Sequence, residues 1–196
     1  MALRISSPLS TFYHIPKTGG NSISQWLNFV GLNPKLMRTD LRGGNHFTPD
    51  YLFTYFNENP NDAGFKYCVV RNPWERVASA YNYKLNLRGT VGKKWLSDRN
   101  ISNFDDFVWN WIAERPSCHT YAKHCDHVLR FETMKEDFKK IQLFYSCFIP
   151  LPPPPTNTPQ YDFREFFKAY PYLIDIIGQT YSDDVSVYKY EYVETI

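Results

Sequence analysis

The sequence predicts an α/β protein, a three-layer sandwich with a central parallel sheet covered by helices on both faces. Three observations lead there. Short apolar runs alternate with amphipathic stretches of helical period, the pattern of a parallel sheet with helical crossovers. One of those runs, residues 67–70, is continuously apolar or aromatic, as a strand buried on both faces requires. The chain also opens with strand, glycine-containing loop and helix, in that order. Its 196 residues, 43% hydrophobic and 21% charged, suit a single domain over 1–196 with a real core.

The elements follow in order. Residues 11–15 (TFYHI) predict a strand and 16–20 a loop. A helix over 21–30 places Ile23, Trp26, Leu27 and Val30 on one face. Pro49 suits the first turn of a short helix ending near Phe56. Residues 66–71 (KYCVVR) predict a buried strand. Asn72 caps the next helix, with Pro73 at its first position, and that helix runs to about Leu87. Residues 90–100 are polar and basic and predict a loop. Ser102 with Asp105 forms a capping-box start, followed by Phe104, Phe107, Val108, Trp111 and Ile112 at helical spacing. Residues 127–131 (HVLRF) predict another strand. Thr133 with Glu136 starts a helix to about Tyr145. Residues 151–159 are proline-rich and can be neither helix nor central strand. Two short helical segments follow, broken at Pro171.

Composition excludes some classes. A net charge of +2 is not that of a nucleic-acid-binding polycation. No run of eighteen apolar residues occurs, and the first ten residues contain no signal-peptide core, so no membrane segment is predicted. If the chain is complete, these features imply a soluble, cytoplasmic protein. Cys68, Cys118, Cys125 and Cys147 form no CxxC pair and no zinc pattern, and no metal is expected. Cys68 reads as a buried thiol; whether Cys118 and Cys125 pair is left open.

Two segments carry chemistry. His14-Ile15-Pro16-Lys17-Thr18-Gly19-Gly20-Asn21-Ser22 lies where a strand ends and a helix begins. Backbone N–H groups and the helix dipole favour an anion there. Gly19 and Gly20 allow close backbone approach, Lys17 adds charge, and Thr18 and Ser22 add hydroxyls. The order differs from a Walker A loop, since the lysine precedes the glycines. In the second segment, 69–81, Arg71 ends a buried strand and Ser79 lies about two helical turns on. Both could reach one phosphate. Taken singly, the segments would equally suit an ordinary strand–helix turn and an arginine capping strand carbonyls.

Together the segments resemble the sulfotransferases that use 3′-phosphoadenosine 5′-phosphosulfate (PAPS). The likeness is greatest to the branch that modifies carbohydrates from the Golgi lumen, with its bacterial and viral relatives. The first segment resembles that family's 5′-phosphosulfate loop and the second its 3′-phosphate motif. Gly44-Asn45-His46-Phe47 resembles its histidine segment. Residues 126–132, with Asp137 and Phe138, resemble its Asp-x-Val-Leu-Arg-Phe-Glu strand and acidic helix. Residues 151–157 with Tyr161, Arg164 and Glu165, and then Tyr181, Asp184 and 188–190, resemble its closing segments. Asn21 departs from the family's usual Thr or Ser, though an amide still donates to a phosphate oxygen. The family's Golgi anchor is not seen, so a Golgi location is expected only for a piece of a longer protein.

The resemblance implies a P-loop-like nucleotide-binding fold and sulfuryl transfer from PAPS to a hydroxyl, leaving 3′-phosphoadenosine 5′-phosphate (PAP). It assigns Lys17 to the bridging oxygen and Thr18, Gly19, Gly20, Asn21 and Ser22 to the 5′-phosphate. Arg71 and Ser79 are assigned to the 3′-phosphate, with Asn157 and Thr158 closing over the same end. His46 is the expected base, and a carbohydrate the expected acceptor. His14, His119, His124 and His127 read as structural or solvent-facing. Lys84, Arg88, Lys93, Lys94 and Arg99 form a basic stretch that reads as a solvated face, or else favours an anionic sugar chain. Three alternatives stand beside this reading: a protein-tyrosine sulfotransferase, a nucleotide-dependent kinase, and a non-catalytic nucleotide-binding protein on a similar fold.

Overall fold

The computed structural model describes residues 2–37, 46–86, 90–152 and 162–193. Its strands are Ala2–Ser6 (β1), Leu9–Tyr13 (β2), Lys35–Leu36 (β3), Phe65–Val70 (β4) and His127–Arg130 (β5). The helices are Gly20–Phe29 (α1), Pro49–Phe56 (α2), Pro73–Asn86 (α3), Thr90–Ser97 (α4), Phe104–Glu114 (α5), Cys118–Ala122 (α6), Met134–Phe144 (α7), Glu165–Lys168 (α8), Leu173–Thr180 (α9) and Ser182–Tyr188 (α10). Two compact units are distinguished: Met1–Arg71 with Cys118–Pro154, and Asn72–Ser117 with Pro155–Ile196.

The first unit holds the sheet, in the order β3-β1-β2-β4-β5. The β2, β4 and β5 strands are mutually parallel, as the alternating pattern predicts. The sheet does not stop there. β1 runs antiparallel to β2 and to β3, so the parallel strands are extended on one side by an antiparallel pair. Leu3 and Ile5 of β1 are buried, which is what holds this strand on the sheet. In register, Tyr13 faces Cys68 and Cys68 faces Val128, so all three parallel strands end on one edge.

Strand alternation sends Phe12, Tyr67, Val69 and Leu129 to one face. There they pack with Ile23, Trp26 and Leu27 of α1 and Phe138 and Ile141 of α7. Cys68 and Val70 are also fully buried, so β4 is covered on both faces as its continuous apolar run requires. A hydrogen-bonded chain crosses the first core: the Ser10 and Tyr145 hydroxyls lie 2.6 Å apart, and those of Tyr145 and Tyr67 3.2 Å. All four cysteines are free thiols.

Among the described residues, the regular elements of the second unit are helices. Asn72 caps α3 as expected, its Oδ1 accepting from the Trp74 and Glu75 N–H groups. Arg76 is fully buried; it donates to the Pro116 carbonyl, and its guanidinium lies 5.7 Å from both the Trp111 and Tyr181 rings. The α5 cap falls one residue later than the capping box suggested. Asn103 accepts from the Asp106 N–H, and Asp106 reaches back to the N–H and hydroxyl of Ser102. At α7, Thr133 is the cap residue, but its hydroxyl donates to Asp137 and not within a Thr–Glu box.

The loop expected over 90–100 is a helix over most of its length. Leu96 is buried, and Trp95 is covered by Lys84 and Arg99, whose charged groups lie 4.1 and 4.4 Å from its ring. Long polar side chains thus supply part of the cover for this helix, which a hydrophobic pattern does not reveal.

Candidate active site

The candidate site lies at the edge where the parallel strands end, the position at which open α/β sheets bind ligands. Residues 14–19 leave β2 and enter α1. Lys17 and Gly19 both have positive φ, 67° and 84°, on either side of Thr18. Left-handed residues in such a turn direct successive N–H groups to one side, forming an anion nest. Gly19 is the N-cap of α1, and no side chain caps that helix. The Gly20 and Asn21 N–H groups at its start therefore have no intrahelical acceptor and favour a negative charge.

The two glycines are required by their surroundings. A Cβ on Gly20 would overlap the His14 ring, lying 2.6 Å from Nε2. A Cβ on Gly19 would lie 2.8 Å from both Met134 Cε and Phe131 Cδ2. Bare backbone is thus packed directly against aromatic rings.

Thr18 is fully buried, and its hydroxyl donates to the Ile15 carbonyl at 3.0 Å. The hydroxyl expected from sequence to face a ligand is thus engaged within the loop itself. Ser22 is buried at the third position of α1, and its N–H bonds the Gly19 carbonyl. Asn21 is exposed and Lys17 half-buried.

Arg71 follows β4 and reaches this loop. Its Nη1 donates to the Lys17 carbonyl at 3.3 Å, and its guanidinium stacks 4.1 Å from the Phe131 ring. The first and second motifs, far apart in sequence, are thereby brought together. Phe131, just beyond β5, supports both Gly19 and Arg71. It falls in the stretch that resembles the family's Val-Leu-Arg-Phe-Glu strand, and its position one residue past a parallel strand neighbouring β4 is the sequence signal for this role. Ser79 is half-buried on α3. Asn157 and Thr158, like Gly44, Asn45, Arg88 and Tyr161, lie outside the described residues.

His46 belongs to the same unit as the loop. Its Nδ1 is 2.7 Å from the His14 carbonyl. A carbonyl only accepts, so Nδ1 carries the proton, and Nε2 is the basic nitrogen of the neutral ring. The His14 ring stands edge-on to His46, with centroids 5.0 Å apart, and stacks on Phe12. Burial, with the neighbouring charges of His46 and Lys17, pushes the His14 pKa down to about 3, so it is neutral at ordinary pH. His14 is thus a packing residue, as its strand position suggested, and its carbonyl also orients His46. His127 bonds the Asp137 carbonyl and His124 pairs with Asp50, matching their structural reading.

The model of the sulfotransferase family matches residues 11–191. The chain belongs to the sulfotransferase family. Searches of curated proteins and of solved structures returned no match. Family membership makes the protein a transferase of sulfuryl groups, with PAPS as the implied donor and a hydroxyl-bearing acceptor. The loop of this sulfotransferase fits an anionic donor on its own geometry: two glycines with no room for a side chain, left-handed turns at Lys17 and Gly19, and an uncapped helix start. Among the described residues, no helix is long and apolar enough to cross a membrane.

In the second unit, the basic stretch is partly committed. Lys94 pairs with Asp98 at 3.1 Å and Arg99 approaches Glu114 at 3.8 Å. Burial, then Arg115 and Arg99, lowers the pKa of Lys84.

Proposed function

We propose that this sulfotransferase moves the sulfuryl group of PAPS to a hydroxyl of a carbohydrate by in-line displacement, with His46 as general base. The observation that carries the reading is that the Lys17 loop, Arg71 and His46 all stand at the C-terminal edge of the parallel strands. His46 is there held in the tautomer whose Nε2 can accept a proton. PAPS, when bound, supplies an activated sulfuryl group on a phosphate leaving group.

The chain's own residues bind, orient and move one proton. The N–H groups of Thr18, Gly19, Gly20 and Asn21, with Ser22, hold the 5′-phosphate. Lys17 neutralises charge that builds on the leaving oxygen. Such fixed, pre-oriented charge is the main catalytic resource in transfers of this type. Arg71 holds the 3′-phosphate, with its guanidinium plane braced on Phe131. Ser79 is assigned to the same phosphate, and Asn157 and Thr158 to its closure, by the sequence motifs alone. His46 Nε2 takes the acceptor hydroxyl proton. The carbohydrate acceptor rests on the branch of the family that the motifs resemble.

Calorimetry tests the donor assignment. PAP should bind wild type, ATP–Mg should not, and Arg71→Ala should weaken PAP by about ten- to a hundredfold, the worth of a charge-assisted hydrogen bond. No PAP binding by folded wild type would remove the assignment. An acceptor screen with oligosaccharides and tyrosine peptides tests the rest: sulfation confined to the peptides would replace the carbohydrate reading.

A further inference from the structure

The segment that carries His46 is held by α6 and the turn after it. Tyr121 of α6 is 1% exposed, and its hydroxyl donates to the His46 carbonyl at 2.6 Å. Four residues past His46, Asp50 in the first turn of α2 pairs with Lys123 Nζ at 2.7 Å and lies 2.6 Å from His124 Nε2. Between these points, the Thr48 side chain caps α2 by accepting from the Tyr51 N–H. Residues 46–50 are therefore held at both ends by residues 121–124, while the His46 ring is held by the His14 carbonyl. α6 itself packs on β4, so the hold on His46 is referred to the sheet.

We infer that Tyr121 is a positioning residue for His46: its buried hydroxyl fixes the His46 backbone so that Nδ1 stays on the His14 carbonyl and Nε2 stays the basic nitrogen. This rests on His46 being the base. An imidazole released from that carbonyl would favour the opposite tautomer, with the proton on Nε2 and no lone pair there. The Asp50 pairs with Lys123 and His124 serve the same end from the helix side. Both groups of contacts come from one short segment, and Tyr121 meets His46 at its backbone carbonyl.

The test is the tautomer itself, which needs no acceptor. Imidazole nitrogen shifts of the full chain are recorded by NMR at alkaline pH, where histidines are neutral, and the His46 signals are assigned by their loss in His46→Ala. In wild type, His46 should carry its proton on Nδ1. In Tyr121→Phe, which removes one oxygen and keeps the ring, the Nε2–H form should become the major one, with PAP affinity unchanged. Asp50→Asn, at a half-exposed side chain, should move the population in the same direction. Three results would overturn the role: a wild-type His46 protonated on Nε2, an Nδ1–H form that persists in both variants, or a tautomer change accompanied by loss of PAP binding. Normal turnover by His46→Ala would instead remove the base assignment and leave the measured clamp standing.

Discussion

Replacing Gly19 with alanine probes the packing on which the phosphate loop depends. Two costs add. Gly19 has φ 84°, and a left-handed conformation costs an L-residue about 1–2 kcal/mol. The new methyl would also lie 2.8 Å from Met134 Cε and 2.8 and 2.9 Å from two atoms of the Phe131 ring. Met134 can swing its terminal methyl aside. The Phe131 ring is less free, since the Arg71 guanidinium lies 4.1 Å from its centre. Overpacking of this kind costs about 1–3 kcal/mol. The expected total is therefore about 2–5 kcal/mol. Urea unfolding of wild type, Gly19→Ala, Phe131→Leu and the double variant separates the two parts. The overlap cost should vanish in the double variant, while the backbone cost stays. A Gly19→Ala loss under about 0.5 kcal/mol, the range of neutral surface changes, would refute the argument. So would a double variant whose losses simply add.

His46→Ala should bind PAP like wild type and lose about 10²–10⁴ in turnover, read by single-turnover assay with an acceptor from the screen. His14 should make stability depend on acid. Its folded pKa of about 3 lies below the ordinary 6.5, so its contribution is full above 6.5 and is lost as pH falls toward 3. The slope from this residue is about 1.4 kcal/mol per pH unit in that window, and denaturation at several pH values should show it missing from His14→Phe. Tyr145→Phe removes the centre of the Ser10–Tyr145–Tyr67 chain and should cost about 1–3 kcal/mol in urea unfolding, because two core hydroxyls lose a partner. No loss in that variant would mean that the chain contributes nothing to stability.

The elements with strong local chemistry were legible in the sequence. Pro49 opening α2, Asn72 and Pro73 opening α3, and the apolar run of β4 each depend on a rule that acts within a few residues. The loop residues Lys17, Gly19 and Gly20, and Arg71 at the strand end, were also legible, because strand–loop–helix order alone puts them on one edge. What the sequence hid was settled by distant partners. Helix α4 is completed by Lys84 and Arg99 over Trp95, which a hydrophobic pattern counts as polar. β1 is held by an antiparallel pairing with no signal of its own. The bond from the Thr18 hydroxyl to the Ile15 carbonyl was also hidden, because only the turn of the backbone brings the two together. Tyr121 acts on His46 from 75 residues away, and only the packing of α6 reveals it.

The order in which the site comes into being follows from the topology. Lys17 and Gly19 are early in the chain, but Arg71 and Phe131, which brace them, arrive after β4 and β5. Between those strands lies the whole of 72–117, which belongs to the other compact unit. Joining β4 to β5, as in the Lys66–Asp126 contact sixty residues apart, closes a loop whose entropy costs about 4 kcal/mol for a featureless chain. Collapse of the intervening helices shortens the effective loop and lowers that cost. Nucleotide binding should therefore emerge late in refolding, after the helices of the intervening segment, and a fragment that stops before β5 should fail to bind even though it contains the entire glycine loop.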